Sequence, residues 1–107
     1  MKEKVIREHL QECQNLMERV FMSGFRTANE TVTQEMQQLS DISKQYGMEE
    51  FAKWQQAFAT GVQGLRHKER SEQEEAELLR LFCQITRYLE LALNKCKWDA
   101  LNFALED

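Results

Sequence analysis

The sequence of 107 residues contains no proline and only four glycines, so few positions can interrupt a helix. Good helix formers such as Glu, Gln, Leu, Lys and Ala are frequent throughout the chain. Hydrophobic residues make up 42% of the sequence and charged residues 30%, a composition typical of a folded domain with one hydrophobic core. The sequence therefore predicts an all-α fold in a single domain that spans residues 1–107.

The sequence also lacks long apolar runs and an excess of basic residues. No run approaches the roughly 20 residues of a membrane-spanning helix, and the first residues lack the apolar segment of a signal peptide. The net charge of −4 disfavours contact with the phosphates of nucleic acids. We therefore expect a cytoplasmic protein that binds neither membranes nor nucleic acid, with Cys13, Cys83 and Cys96 as free thiols.

Four segments place apolar residues at steps of three and four, the spacing of an amphipathic helix. These segments cover about residues 2–23, 31–46, 48–65 and 72–105. The first two end just before Gly24 and Gly47, as helices commonly do. Short glycine-containing connections indicate antiparallel neighbours, so the sequence predicts an up-down four-helix bundle with a long C-terminal helix.

The four apolar stripes define the residues that we expect to face the core. In chain order they are Ile6, Leu10, Cys13, Met17, Val20 and Phe21; Val32, Met36, Leu39 and Ile42 or Ser43; Met48, Phe51, Trp54, Phe58, Val62 and Leu65; and Leu78, Phe82, Ile85, Leu89, Ala92 or Leu93, Cys96, Ala100 and Phe103. Gly61 and Gly64 lie in the last turns of the third helix, where a glycine costs about 1 kcal/mol. Fraying of this helix end is favoured over close packing against a neighbour.

The fourth helix is too long for its partners. It would extend roughly 50 Å, whereas the other three would extend roughly 25–30 Å. Its end must either bend near residues 94–97 and fold over the bundle or project beyond it, and a bend is slightly favoured because exposed apolar surface is costly. The partner-binding residues predicted in this tail are Trp98, Leu101, Phe103 and Leu105.

Few residues are available for catalysis or metal binding, since the chain has only two histidines, His9 and His67. The spacing of four between His9 and Cys13 suits a soft metal ion, with Cys83 or Cys96 as a further ligand. No CxxC, CxH or HExxH motif supports such a site. The favoured interpretation places Cys13 in the core and His9 beside it at the surface, so we expect neither a metal nor another cofactor.

Two charged clusters have structural explanations. The basic cluster, interpreted as a solvated loop, comprises Arg66, His67, Lys68 and Arg70. The acidic cluster, interpreted as the first turns of a helix whose dipole favours negative charge, comprises Glu72, Glu74, Glu75 and Glu77. The motifs of di-iron bundles, phosphate-binding loops and serine hydrolases are absent from the sequence. The chain is therefore predicted not to be an enzyme.

Residues 16–65 combine an apolar stretch, a Gly-Phe turn, a polar helix start, a helix that ends in Tyr-Gly, and the sequence MEEFAKWQQAF. This arrangement resembles the helical segment that accompanies SWIM zinc-finger domains in some bacterial proteins, with a looser similarity over residues 16–93. The matching positions are Gly24, Phe25, Leu39, Gly47, Met48, Phe51, Trp54 and Phe58. The zinc-finger signature, Cys-x-Cys followed by Cys-x-His, is absent. The zinc and DNA binding of those proteins is therefore not carried over, and the resemblance implies only an accessory helical module that works by docking.

These observations favour one function and leave one alternative. The favoured function is a non-catalytic module that binds a protein partner, or a second copy of itself as a homodimer, through the last helix. The alternative is a sensor for a small ligand, a metal ion or redox state, built in the bundle core. Its reactive group would be Cys13, Cys83 or Cys96.

Overall fold

A computed structural model describes residues 2–25, 30–67 and 72–106 of the chain, without the side chains of residues 2, 66–67 and 103–106. Its elements are α1 (Lys2–Ser23), α2 (Glu30–Gln45), α3 (Glu49–His67) and α4 (Glu72–Glu106). These described ranges contain helices and no strands, which confirms the predicted all-α fold. The observed bounds differ from the predicted ones by at most two residues at each end.

The helices follow one another around the bundle in chain order. α1 packs against α2 and α4, and α3 packs against the same two helices. Aromatic pairs show the direction of packing, because Phe51 stacks on Tyr88 whereas Phe58, further along α3, contacts the earlier residue Phe82. α3 and α4 therefore run antiparallel, as predicted for an up-down bundle.

Apolar side chains from all four helices form one continuous core. Its buried members are Leu10, Cys13, Leu16, Met17, Val20, Met36, Leu39, Phe51, Phe58, Ala59, Val62, Leu65, Leu78, Ile85, Leu89 and Leu93. Two residues predicted to face the core are instead exposed, Phe21 and Ala100. Phe21 lies in the last turn of α1, where its ring stacks on Phe82 of α4 while the side chain stays 69% exposed. Ala100 lies in α4 beyond the last buried residue, Leu93.

Glycines end α1 and α2 in the predicted way. Gly24 and Gly47 adopt φ values of 85° and 83°, which L-residues with a side chain rarely adopt. After α2, the amide of Met48 donates to the carbonyl of Ser43 at 2.9 Å, and the amide of Gly47 donates to that of Lys44 at 3.1 Å. This pair of bonds is the Schellman motif, which satisfies the last carbonyls of the helix.

Gly61 corrects the prediction that α3 frays near its glycines. α3 continues as a helix to His67, and Gly61 lies against Leu78 of α4. A Cβ atom at position 61 would lie 2.4 Å from the Cδ2 of Leu78, so the two helices approach closely at this point. Gly64, one turn later, has no such neighbour within 4 Å.

α4 is one helix from Glu72 to Glu106, so the bend slightly favoured for residues 94–97 is wrong. Its 35 residues extend about 52 Å at 1.5 Å per residue, and the chain measures 58 × 22 × 21 Å. Phe51, near the N-terminal end of α3, stacks on Tyr88 of α4. Because the two helices are antiparallel, the last turns of α4 continue past this N-terminal end of α3. We call residues 94–106 the C-terminal tail of α4. Cys96 near its start still packs against the core, and the turns after Cys96 project.

Candidate functional site

The projecting tail presents large apolar side chains to solvent. Trp98 is 64% exposed and Leu101 is 50% exposed, while Leu91, just before the tail, is 58% exposed. Both described members of the predicted partner-binding set therefore lie on an open surface. The side chains of the other two, Phe103 and Leu105, lie outside the described residues.

The tail has two distinct faces. One face continues the stripe that α4 buries in the bundle, and on it Cys96 still packs against the core at half-burial. Trp98 lies two positions further on, about 200° around the helix, on the opposite side. The side of α4 that carries Trp98 therefore faces away from the bundle, and none of the described helices covers it.

A second candidate site is a ring of four buried polar side chains in the bundle, which we call the polar ring. Its members, drawn from α1, α2 and α3, are His9, Cys13, Ser43 and Gln55, each at most 5% exposed. His9 Nε2 lies 2.7 Å from Ser43 Oγ, and the Ser43 hydroxyl donates to Gln55 Oε1 at 2.7 Å. Gln55 Nε2 donates to Cys13 Sγ at 3.2 Å, and Cys13 Sγ lies 3.7 Å from His9 Nε2.

The direction of the bond between Ser43 and Gln55 determines which ring nitrogen of His9 donates to Ser43. Ser43 has one hydroxyl hydrogen and gives it to Gln55, so its oxygen acts as the acceptor toward His9. His9 must then carry its hydrogen on Nε2 and donate it to Ser43 Oγ. Donation thus runs from His9 through Ser43 and Gln55 to Cys13. Among the described residues, no buried side-chain nitrogen or oxygen lacks a hydrogen-bond partner.

Burial favours the neutral form of both titratable members of the polar ring. It raises the pKa of the Cys13 thiol to about 11, with a smaller opposing effect from the Gln55 hydrogen bond. Burial also lowers the pKa of His9, against a weaker opposing effect of Glu12. Since the thiolate is the reactive form of cysteine, Cys13 is a poor nucleophile here. The polar ring ties three helices together.

The structure corrects the predicted place of His9. It also shows that the three cysteines differ in their exposure. His9 is buried, not beside the core at the surface, because Ser43 from α2 supplies a partner for its ring nitrogen. All three cysteines are free thiols, with Cys13 buried, Cys83 exposed and Cys96 half-buried. In the part of the chain that the structure describes, no group of three His, Cys, Asp or Glu residues is arranged to hold a metal ion.

The polar ring was not predicted from the sequence, although the sequence contains a partial indication of it. Gln55 occupies the core-facing stripe of α3, three residues before Phe58, where a polar residue needs a buried partner. Ser43 was one of two options for the core position of α2, and the structure buries it completely whereas Ile42 is half-buried. The partners of these residues are distant in sequence, so their pairing requires the fold.

A groove between α1 and α4 forms a third feature. It encloses about 440 Å³, and its apolar lining includes Met17, Phe21, Met22 and Phe82. Phe21 stacks on Phe82 with ring centroids 6.0 Å apart. The side chain of Phe21 therefore packs against α4 at the surface of the bundle instead of in the core.

The charged clusters give no site in the described structure. Glu72, Glu74 and Glu75 occupy the first turn of α4, where the helix dipole favours negative charge. The side chains of the basic cluster at residues 66–70 lie outside the described residues, as does Ser71. The described structure therefore agrees with the helix-dipole explanation of the acidic cluster, and the solvated-loop interpretation of the basic cluster stays a prediction.

The fold and its surfaces define a four-helix bundle with a projecting helical tail. None of the described helices is long and apolar enough to cross a membrane. No protein-family model matches the chain, and comparisons with curated proteins and with solved structures give no match. The resemblance to SWIM-associated helical segments therefore stays a prediction.

Proposed function

We propose that this chain is a non-catalytic interaction module that binds another protein chain through the tail of α4. The observation that carries the proposal is the exposure of Trp98 and Leu101 on a helix that extends past its own bundle. Large aromatic and aliphatic side chains are the typical anchors of protein interfaces. An exposed apolar surface of this kind is costly unless a partner covers it.

The rigidity of the tail supports the same proposal. Residues 94–106 belong to the same continuous helix as the buried stripe Leu78–Leu93, so the bundle fixes the direction of the tail. A helix already formed before binding loses little conformational entropy when a partner docks. The tail is therefore suited to insertion into a groove or to pairing with another helix.

The alternative, a sensor in the bundle core, has less support. The polar ring is closed by hydrogen bonds among its own members, and its thiol has a raised pKa. A reactive cysteine sensor needs an accessible thiol of low pKa. Cys83 is accessible, but no described His, Cys, Asp or Glu cluster surrounds it.

The proposal is tested by photo-crosslinking in the cells that make the protein. A benzophenone side chain at position 98 should give a covalent adduct with a protein chain, whereas the same group at Thr60, exposed on α3, should not. Leu101→Asp in the same chain should abolish the adduct. Leu79→Asp, a matched change at an exposed leucine of α4 outside the tail, should leave it intact.

This test does not depend on which protein is crosslinked. It asks only whether formation of the adduct requires the tail. Equal adducts at positions 98 and 60, or an adduct that survives Leu101→Asp, would overturn the proposal. An adduct with a second copy or with another protein, lost on Leu101→Asp alone, supports it.

A further inference from the structure

The outward face of α4 carries a regular stripe of residues at alternating steps of three and four. Its described members are Leu91, Asn94, Trp98 and Leu101, and the spacing in the sequence continues to Leu105. This spacing is the a and d pattern of a coiled-coil seam, with Leu91, Trp98 and Leu105 at a and Asn94 and Leu101 at d. The side chains of Leu91, Asn94, Trp98 and Leu101 are all exposed, which makes the seam available to a second helix.

The charged residues that flank the seam would attract those of a second copy of the same seam. Glu90 and Lys95 flank it at the g and e positions and are both exposed. In a parallel pair of such helices, a g residue lies beside the e residue five positions later on the other helix. Glu90 of each copy then meets Lys95 of the other, which gives two attractive pairs. In the described part of the chain, neither residue forms an ion pair within its own molecule.

The opposite direction of pairing is disfavoured by the same flanking residues. An antiparallel pair centred on Trp98 brings Lys97 of one copy beside Lys97 of the other, on the same side of the seam. Like charges at adjacent positions oppose association. Asn94 is a polar residue within the seam, and its amide needs a hydrogen-bond partner once the seam is covered. In a parallel pair Asn94 of the second copy supplies that partner at the same level.

The bundle end of the seam limits its length. One turn before Leu91 the next d position is Arg87, which is exposed. Two arginines at the same level of a parallel pair repel each other, so the seam ends at Leu91, alongside the buried residues Leu89 and Leu93. The contact is therefore confined to about residues 91–105, and the two bundles remain side by side as independent cores.

We infer that the partner of the tail is a second copy of this chain, which pairs in parallel through Leu91, Asn94, Trp98 and Leu101. The inference rests on the proposed function and names its partner. A seam of about two heptads is short for a coiled coil. The dimer therefore dissociates on dilution, and its dissociation constant responds to small changes at the flanks.

A charge-reversal cycle tests the pairing of Glu90 with Lys95, with dissociation constants measured by sedimentation equilibrium on the full chain. Glu90→Lys and Lys95→Glu should each weaken the dimer by roughly tenfold, because each turns two attractive pairs into repulsive ones. The double variant should recover most of the loss. Lys53→Glu, a charge reversal on exposed α3, should change the dissociation constant little.

A disulfide tests the parallel register independently. Asn94→Cys, in a chain with Cys83→Ser and Cys96→Ser, should form an intermolecular disulfide on mild oxidation, because parallel seams bring position 94 beside its own copy. Asn102→Cys in the same background is the control, since its e position lies outside the seam. A chain that stays monomeric, absence of recovery in the double charge variant, or equal crosslinking at 94 and 102 would overturn the inference. If the photo-crosslinked partner of position 98 is only a different protein, the inference fails while the proposed function stands.

Discussion

The hydroxyl of Ser43 in α2 donates a hydrogen bond of 2.7 Å to the Oε1 of Gln55 in α3, and both side chains are completely buried. This bond is the centre of the polar ring, since His9 lies on one side of it and Cys13 on the other. Hydrogen bonds of this kind depend on the relative position of the helices, which apolar contacts alone fix less strictly. The polar ring therefore sets the alignment of α1, α2 and α3.

Changes at two members of the polar ring should be less than additive in their cost. We expect Gln55→Leu to lower the free energy of unfolding by about 1–3 kcal/mol, because the Ser43 hydroxyl loses its acceptor in the core. Adding Ser43→Ala should cost less than the sum of the two single changes, since it removes the unpaired hydroxyl. Denaturant unfolding measures both, with Gln56→Leu at an exposed neighbour as the control. Strictly additive effects would contradict a coupled ring.

His9 should make the bundle sensitive to mild acid. The pKa of His9 is lowered by burial from its ordinary 6.5, so below that pH the unfolded chain takes up a proton before the folded chain does. Neutral His9 contributes fully to the free energy of unfolding above about pH 6.5, and this contribution is lost as the pH falls below that value. The free energy of unfolding should therefore fall more steeply in the native chain than in His9→Gln. Equal slopes for the two chains would be incompatible with a buried neutral imidazole.

Gly61 and Gly64 offer a matched pair of substitutions on one helix. Gly64→Ala should stabilise the protein by about 0.5–1 kcal/mol, because alanine favours the helix and no atom lies within 4 Å of the added methyl group. Gly61→Ala should be destabilising despite the same helix preference, because the methyl group would lie 2.4 Å from the Leu78 side chain. Thermal unfolding of the two variants distinguishes these outcomes, and a stabilised Gly61→Ala would refute the close packing of α3 on α4.

These residues show where sequence reasoning succeeds and where it stops. The four helices and the stops at Gly24 and Gly47 follow from local periodicity and backbone preference, which are properties of neighbouring residues. The close approach at Gly61 depends on Leu78 in another helix, and the burial of His9 depends on Ser43. The length of α4 was evident from its uninterrupted pattern, but the choice between bending and projecting depended on what lies beside residues 94–97.

The projecting tail should contribute little to the stability of the single chain. Trp98→Ala should change the free energy of unfolding by less than about 0.5 kcal/mol in dilute solution, since the side chain is exposed. Phe58→Ala should cost about 3–5 kcal/mol, because Phe58 is fully buried in the core. Denaturant titrations at low protein concentration compare the two. A loss of several kcal/mol for Trp98→Ala would mean that the tail folds back onto its own bundle.

The fluorescence of Trp98 tests most directly whether a second copy covers the tail. In a Trp54→Phe chain, Trp98 is the only tryptophan, and its emission reports the surroundings of the tail alone. The emission should shift to shorter wavelength as the protein concentration rises through the dissociation constant, and Glu90→Lys should move this transition to higher concentration. An emission maximum that stays at the position of a solvent-exposed indole at every concentration would contradict pairing through the tail.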